Sequence, residues 1–402
     1  MAYISVTAPS GATITATCQG VTVTGSGTCT LSVPIIDTWT VTCSYNSVTK
    51  TDTVVVEEYG ETYSVTFSYT ATITVTTYPQ SDVTASKTGQ TDITGESDTN
   101  GVCVLTIPAD GLGEWSVESD YGLWNRTKTV SVAEYGTDYP LDIPLPVPYF
   151  TFTTANNVVH NITKSTGTQT ASSDFKYQRK NNGDWEFYAL VNGTIKFHTP
   201  CHADIFLLGN GNAGGNGNYN VASQYLPPPN DYTLYWCNSV NGGAGGLGGY
   251  RKGYSDLDLT GTIPAVVATI TSLGDYKANG TGYSQSAAAA NGGYCFNDST
   301  ASGPDGNGYL VGAGGGKGGT SWHSGSTTSA QSGGVKGGGS GGSADASNST
   351  ANKGGNASYW GAGGGGGGAW GNSNQTTSSS GHGGSNTGGT GYQGFVAMRN
   401  AR

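Results

Sequence analysis

From Ile4 to Phe67 apolar residues alternate with Thr and Ser: Ile14, Ala16, Cys18; Val21, Val23; Cys29, Leu31, Val33; Trp39, Val41, Cys43; Tyr63, Val65, Phe67. Period-two alternation in Thr- and Val-rich runs, punctuated by Gly and Asn, predicts short antiparallel strands with one face on a core. Strands at this spacing make a small β-sandwich. The pattern then repeats. Trp39-Thr-Val-Thr returns as Trp115-Ser-Val-Glu, and Glu58-Tyr-Gly-Glu-Thr-Tyr63 returns at the same offset as Glu134-Tyr-Gly-Thr-Asp-Tyr139. Cys29-Thr-Leu-Ser-Val-Pro34 likewise matches Cys103-Val-Leu-Thr-Ile-Pro108. Three landmarks in order mark an internal duplication. They divide the first part of the chain into modules 1–68 and 69–148, with Cys29 and Cys103 at equivalent inward positions of separate modules.

Pro144-Leu-Pro-Val-Pro148 reads as a short semi-rigid linker. Beyond it, Tyr149 to Phe152, Trp185 to Leu190, Thr194 to Phe197 and Asp204 to Leu208 predict further strands, and Leu257 to Ile270 a hairpin. Ser286 to Asn291 is the one helix-favouring run and is too short to be stable alone. The expected class is all-β.

From Val311 to Gly391 the pattern changes to glycine runs, among them Gly314 to Gly316, Gly337 to Gly342 broken by Ser340, and Gly363 to Gly368. Aromatics stand at their ends, and the chain closes on a strand-like Tyr392 to Arg399. Glycine loses more conformational entropy on ordering than any other residue, so a flexible spacer is one reading. The other is an ordered one. Extended left-handed helices of the polyproline II type have no internal hydrogen bonds and can bond to one another where glycine allows close approach. No strict three-residue period runs through the tract and proline is nearly absent from it, which argues against collagen, so we expect short antiparallel glycine rods joined by variable loops, with residues 149–402 forming a β-sheet base that carries them. Asn210 and Asn212 interrupt the first glycine run, and rods are expected in the later ones.

Composition narrows the function. Gly 67 in 402 residues is more than double the usual share of about 7%. Charged residues are 11% and the net charge is -10 without a basic stripe, which disfavours nucleic acid and anionic membrane as partners. No apolar run reaches the roughly 18 residues of a spanning helix, and Met1-Ala-Tyr-Ile-Ser-Val does not resemble a signal peptide. Release by lysis or as part of a particle is therefore expected. Seven cysteines without a CxxC pair suggest buried thiols acting as small hydrophobes.

Chemical motifs are few. Gly338-Gly-Ser-Gly-Gly342 matches GxSxG in letters but lacks the flanking strand and helix of a nucleophile elbow. Gly312 to Lys317 lacks the Ser or Thr that follows the lysine of a phosphate loop. Asp305-Gly-Asn-Gly reads as a surface turn, without the acidic ligands that complete a Ca2+ site. Acidic residues become sparse after Asp275, so the glycine-rich part is poorly supplied for acid-base work. His323 and His382 are expected as exposed loop residues. No enzyme activity, cofactor or metal is expected.

The tandem modules, with their Trp-Thr-Val-Thr and Tyr-Gly-Glu-Thr-Tyr-Ser-Val segments, resemble immunoglobulin-like modules of structural proteins of phages and prophages. Gly183-Asp-Trp-Glu-Phe187, His202-Ala-Asp-Ile-Phe-Leu-Leu-Gly-Asn-Gly211, the glycine runs and the terminal Gly391-Tyr-Gln-Gly-Phe-Val-Ala-Met-Arg399 resemble the glycine-rich domain of phage tail fibre and receptor-binding proteins. The resemblance implies two Ig-like β-sandwich modules and a polyglycine II tip. It implies a virion adhesin that binds a host cell-surface glycan or protein, with the N-terminal modules facing other virion proteins. A homotrimer is the assembly common in such fibres, and no heptad coiled coil is present to enforce it. Two other functions compete: a structural head fibre or capsid decoration protein, and a tail-borne glycan depolymerase. Because rods offer few side chains, binding is expected on the loops Ser321 to Ser332, Ser343 to Lys353 and Asn372 to Ser380, with Trp322, His323, Tyr359, Trp360 and Trp370 as candidate receptor contacts. The alternative use of these aromatics is to cover the rod ends as a miniature core, most of all for Trp360 and Trp370.

Overall fold

The computed structural model describes residues 1–162, 170–179, 183–278, 291–297, 311–323, 327–334 and 337–401. The chain is all-β, and the 3-10 turn Cys295–Asn297 is the only helical element among the described residues. Ser286 to Ala290 and Asp305 to Gly308, singled out by sequence, lie outside them. Two compact units divide at Leu145 and Pro146.

The first unit holds two sandwiches of one topology. In each, a three-stranded sheet faces a four-stranded one. The first pairs Cys29–Val33, Ala2–Thr7 and Thr62–Thr66 against Val21–Ser26, Thr13–Cys18, Thr38–Tyr45 and Val48–Val55. The second pairs Val102–Ile107, Ala71–Thr76 and Asp138–Asp142 against Ile93–Glu96, Asp82–Ser86, Gly113–Tyr121 and Trp124–Val132. The repeated landmarks do repeated work. Trp39 and Trp115 are fully buried, and each donates its indole N–H to a carbonyl four residues back, Ile35 at 3.0 Å and Gly111 at 2.7 Å. The Tyr63 hydroxyl accepts from the amides of Glu57 and Glu58, and the Tyr139 hydroxyl from those of Ala133 and Glu134. Cys29 and Cys103 both set their sulfur over a glycine of the facing sheet, Gly25 and Gly95. All seven cysteines are free thiols and six are buried. Tyr69 belongs to the first core, where its hydroxyl donates to the Cys43 carbonyl at 2.7 Å.

The second unit is a β-sandwich base from which a bundle of glycine rods emerges. One base sheet orders Val159–Ile162, Phe150–Thr154, Gly193–Phe197, Thr262–Val266, Ser272–Leu273 and Tyr276–Lys277. The other orders Thr170–Ala171, Phe175–Arg179, Trp185–Ala189, Phe395–Asn400, Cys201–Leu208 and Arg251–Leu259. Phe150, Phe152, Phe187, Ile205, Leu207, Val396 and Met398 fill the space between them. The second sheet is covered on its other face too, where Tyr188, Phe206, Leu208 and Phe395 meet Trp360 and Val311. Burial on both faces is why Ile205-Phe-Leu-Leu208 and Phe395-Val-Ala-Met398 read as continuous apolar runs rather than alternating ones. The hairpin expected across Leu257 to Ile270 is confined to its second half, where Thr262–Val266 turns back on Ser272–Leu273, and Leu257 and Leu259 do not take part. Arg251–Leu259 pairs with Cys201–Leu208 and Thr262–Val266 with Gly193–Phe197, because the turn at Gly261 carries the chain from one sheet to the other.

The rods settle the glycine question in favour of order. Segment 361–368 is the axis, and six others surround it in the order 209–217, 242–249, 312–319, 337–342, 352–357, 386–394, which closes on itself. Three residues per turn aim successive amides about 120° apart. Gly363 and Gly366 donate to 312–319, Gly364 and Gly367 to 209–217, and Gly365 and Gly368 to 352–357. The carbonyls of the axis accept in the same rotation from the other three rods. Segment 329–334 lies outside the ring against 312–319 and 337–342.

Two expectations are corrected here. The rods begin at Gly209 rather than in the tract after Val311, and Asn210 does not interrupt them: its side-chain oxygen accepts the Gly394 amide at 2.7 Å, as Asn216 accepts Gly388 and Asn356 accepts Thr390. Nor are the rods uniformly antiparallel. Segments 209–217, 312–319 and 337–342 run with the axis, and the other three run against it. Hydrogen bonds that radiate in three directions from each rod do not distinguish chain polarity as a β-ladder does.

Candidate functional site

Rods 209–217, 242–249 and 386–394 run into strands of the base at one end, and the chain regains side chains at the other. There Thr320–Trp322 pairs parallel with Ala369–Gly371, which pairs antiparallel with Gly383–Ser385. This small sheet forms on glycine because bulky neighbours lie across it: the Tyr219 ring over Gly383, the Trp370 indole over Gly384, and the Cys237 sulfur over Gly371. The hairpin Ala344–Asp345 with Thr350–Ala351 docks alongside, the Ala346 amide donating to Ser321 Oγ at 3.1 Å. All three expected loops therefore meet at one end.

A fourth element at that end escaped the sequence reading. Asn218–Leu226 and Tyr232–Asn241 form a two-stranded finger between rods 209–217 and 242–249. Its root is tied down by Cys237 N–H to the Asn372 carbonyl at 2.9 Å and by reciprocal bonds between Tyr235 and Thr376. Its tip is the turn Pro227 to Asp231, where the Tyr225 hydroxyl donates to Asp231 at 2.5 Å. That bond holds the Tyr225 hydroxyl above its ordinary pKa. Tyr219, Tyr225 and Tyr232 are 41%, 55% and 40% exposed. A signal was present: two tyrosine-bearing runs around the proline triplet Pro227 to Pro229.

The candidate residues divide between the two ends of the bundle. Trp322 is half-buried in the end sheet, and His323 is exposed, its amide donating to the Gly371 carbonyl at 3.0 Å. Trp370 sits at the same end but is buried. Trp360 precedes the axis rod and lies at the base, buried edge-on to Phe395 and Tyr392, with Tyr359 half-buried beside it. Ten residue steps, about 30 Å at roughly 3.1 Å each, part Trp360 from Trp370 along the axis rod. Packing against backbone and core aromatics leaves Trp360 and Trp370 no free face, so the miniature-core use describes them. His382, expected to be exposed, is 2% exposed, with Nε2 2.7 Å from the Ser378 carbonyl and 3.0 Å from Thr376 Oγ1.

Charge at this end is sparse and fixed. Asp345 accepts from the Asn348 side chain at 2.6 Å and the Ser347 amide at 2.9 Å, which holds its carboxyl below the usual value. Open clefts lie elsewhere, on the base sheet around Thr151, Lys196 and Thr262 and in the second sandwich around Asp82 and Glu96. Among the described residues no three His, Cys, Asp or Glu side chains are arranged to hold a metal ion. Ser340 and Lys317 are rod residues, without the strand, loop and helix their motifs require. The loop end presents an aromatic and neutral polar surface suited to binding.

No family model and no curated protein matches the sequence. Among solved structures, one similar chain is described as "Ca2+-stabilized adhesin helps an Antarctic bacterium reach out and bind ice", at 14% identity and a TM-score of 0.11. The likeness covers 64% of this chain and 61% of that one. At that score the two do not superpose as folds.

Proposed function

We propose that this chain is a phage virion adhesin that grips a host cell-surface glycan or protein through the loop end of its second unit. The tandem modules serve as its stalk toward other virion proteins. The supporting observation is the closed ring of six rods around 361–368, a frame that carries four side-chain-bearing loops at one end. Function on loops held by a rigid scaffold is the general pattern. Tyrosine, Ser, Gly and Asn on such loops supply contact area at low entropic cost and adaptable hydrogen bonding. The exposed contacts are His323, Tyr219, Tyr225 and Tyr232, with Trp322 at the edge. Binding, not catalysis, is the proposed activity.

Imaging phage particles that carry a label on the C-terminus tests the placement. Label at the tail tip is expected. Label on the capsid would overturn the reading in favour of a decoration protein, and release of reducing sugar from host polysaccharide would replace it with a depolymerase.

A further inference from the structure

The four-stranded sheet of the first sandwich turns an unusual face to solvent. Its outward positions form cross-strand rows, and the middle row is Thr24, Thr15, Thr42 and Thr51. The rows on either side are also Ser or Thr at every position, and none of the twelve residues is buried. Neighbouring hydroxyls meet in two places, Ser44 with Thr49 at 2.9 Å and Thr42 with Thr51 at 3.4 Å.

Threonine suits exposed strands, so β-propensity alone could account for some of this. The duplicate shows that it does not account for all of it. On the equivalent face of the second sandwich, Glu96, Asp82 and Asp120 stand in one cross-strand row and Glu118 in the next. Thr42 corresponds to Glu118 and Ser44 to Asp120 at the offset of the repeat, and Thr13 to Asp82 by strand pairing. The same fold thus accepts carboxylates at these positions, yet the first module keeps an uncharged hydroxyl array in a chain of net charge -10.

Each hydroxyl both donates and accepts, which matches the chemistry of sugar hydroxyls. Rows repeat about 4.8 Å across strands and about 6.8 Å along them, a spacing a flexible chain polymer can follow. A rigid planar lattice fits less well, because each strand is rotated roughly 20 to 25° from the last. Anionic polymers and apolar peptides find neither a cation nor an apolar anchor among the twelve residues. We propose that this face binds neutral polysaccharide as a weak, multivalent contact separate from the loop end.

Affinity electrophoresis of the full chain tests this in gels containing dextran, mannan or galactan, with mobility normalised to a plain gel. Retardation is expected in at least one gel. It should fall at least tenfold in the triple variant Thr13→Asp, Thr42→Glu, Ser44→Asp, which copies the second module, with the melting temperature unchanged. The reverse change, Asp82→Thr, Glu118→Thr, Asp120→Ser, should increase retardation and decides the matter if the first variant misfolds. Replacing Trp322 and His323 with Ala should leave retardation intact, so failure of the loop-end reading is distinguishable. No retardation in any of the three gels, or full retardation in a folded triple variant, would overturn the proposal.

Discussion

Gly366 shows how a single residue type becomes obligatory. A Cβ built there would lie 1.9 Å from the Gly243 carbonyl oxygen, and at Gly365 1.9 Å from that of Ser340. Backbone cannot yield as a flexible side chain would. Gly366→Val should destabilise the second unit by about 3 kcal/mol or more, the upper end of ordinary overpacking. Ala244→Val, on the outside of a ring rod, should stay within about 0.5 kcal/mol. Thermal melts that rank the two equally would refute the packed axis. At the loop end, replacing Trp322 and His323 together with Ala should abolish host-cell binding by the full chain while lowering the melting temperature by no more than a few degrees. Retained binding would remove this loop from the site, and loss of folding would assign Trp322 to the end sheet. The aromatic-rich ends of the rods were legible in sequence. Which aromatics face solvent was not, because burial depends on whether a neighbouring rod passes over them.

Loops and rods divide the work at the next scale. The hairpin 344–351 is held by Asp345, whose carboxyl is stabilised in its charged form by hydrogen bonds from Asn348 and Ser347. A depressed folded-state pKa means that this stabilisation is present above the unfolded value of about 3.9 and is lost as pH falls through the folded one. The Ser347 amide resonance should therefore titrate with a midpoint below the ordinary 3.8. A midpoint at or above it would show that these bonds do not persist in solution. The finger Asn218–Asn241 illustrates what pattern alone conceals: a two-stranded hairpin is marginal in water, and this one is held because its root bonds to Asn372 and Thr376, far away in sequence.

For the whole molecule, circular dichroism should show less than about a fifth helix, against roughly a third in an average globular protein. Native protein should resist protease across the rods, with Gly363 to Gly368 protected most, since those amides bond in rotation to three rods of the ring. Rapid cleavage there would contradict an ordered bundle. The bundle is anchored at its base end by its first and last rods: the first leaves Cys201–Leu208, and the last enters Phe395–Asn400, its neighbour in the same sheet.

By itself the sequence determined the local choices. Alternation set the strands, three repeated landmarks set the duplication, and the absence of side chains in Gly363 to Gly368 permitted one conformation that bonds in three directions. Tertiary structure decided which rods neighbour the axis and in which direction each runs. It also took Trp360 to the base and buried Trp370 within the end sheet, and made Asn210 a rod-to-rod clasp. The physical reason is that a glycine rod carries no internal hydrogen bond and almost no apolar pattern. Its register, polarity and partners exist only once the other rods surround it.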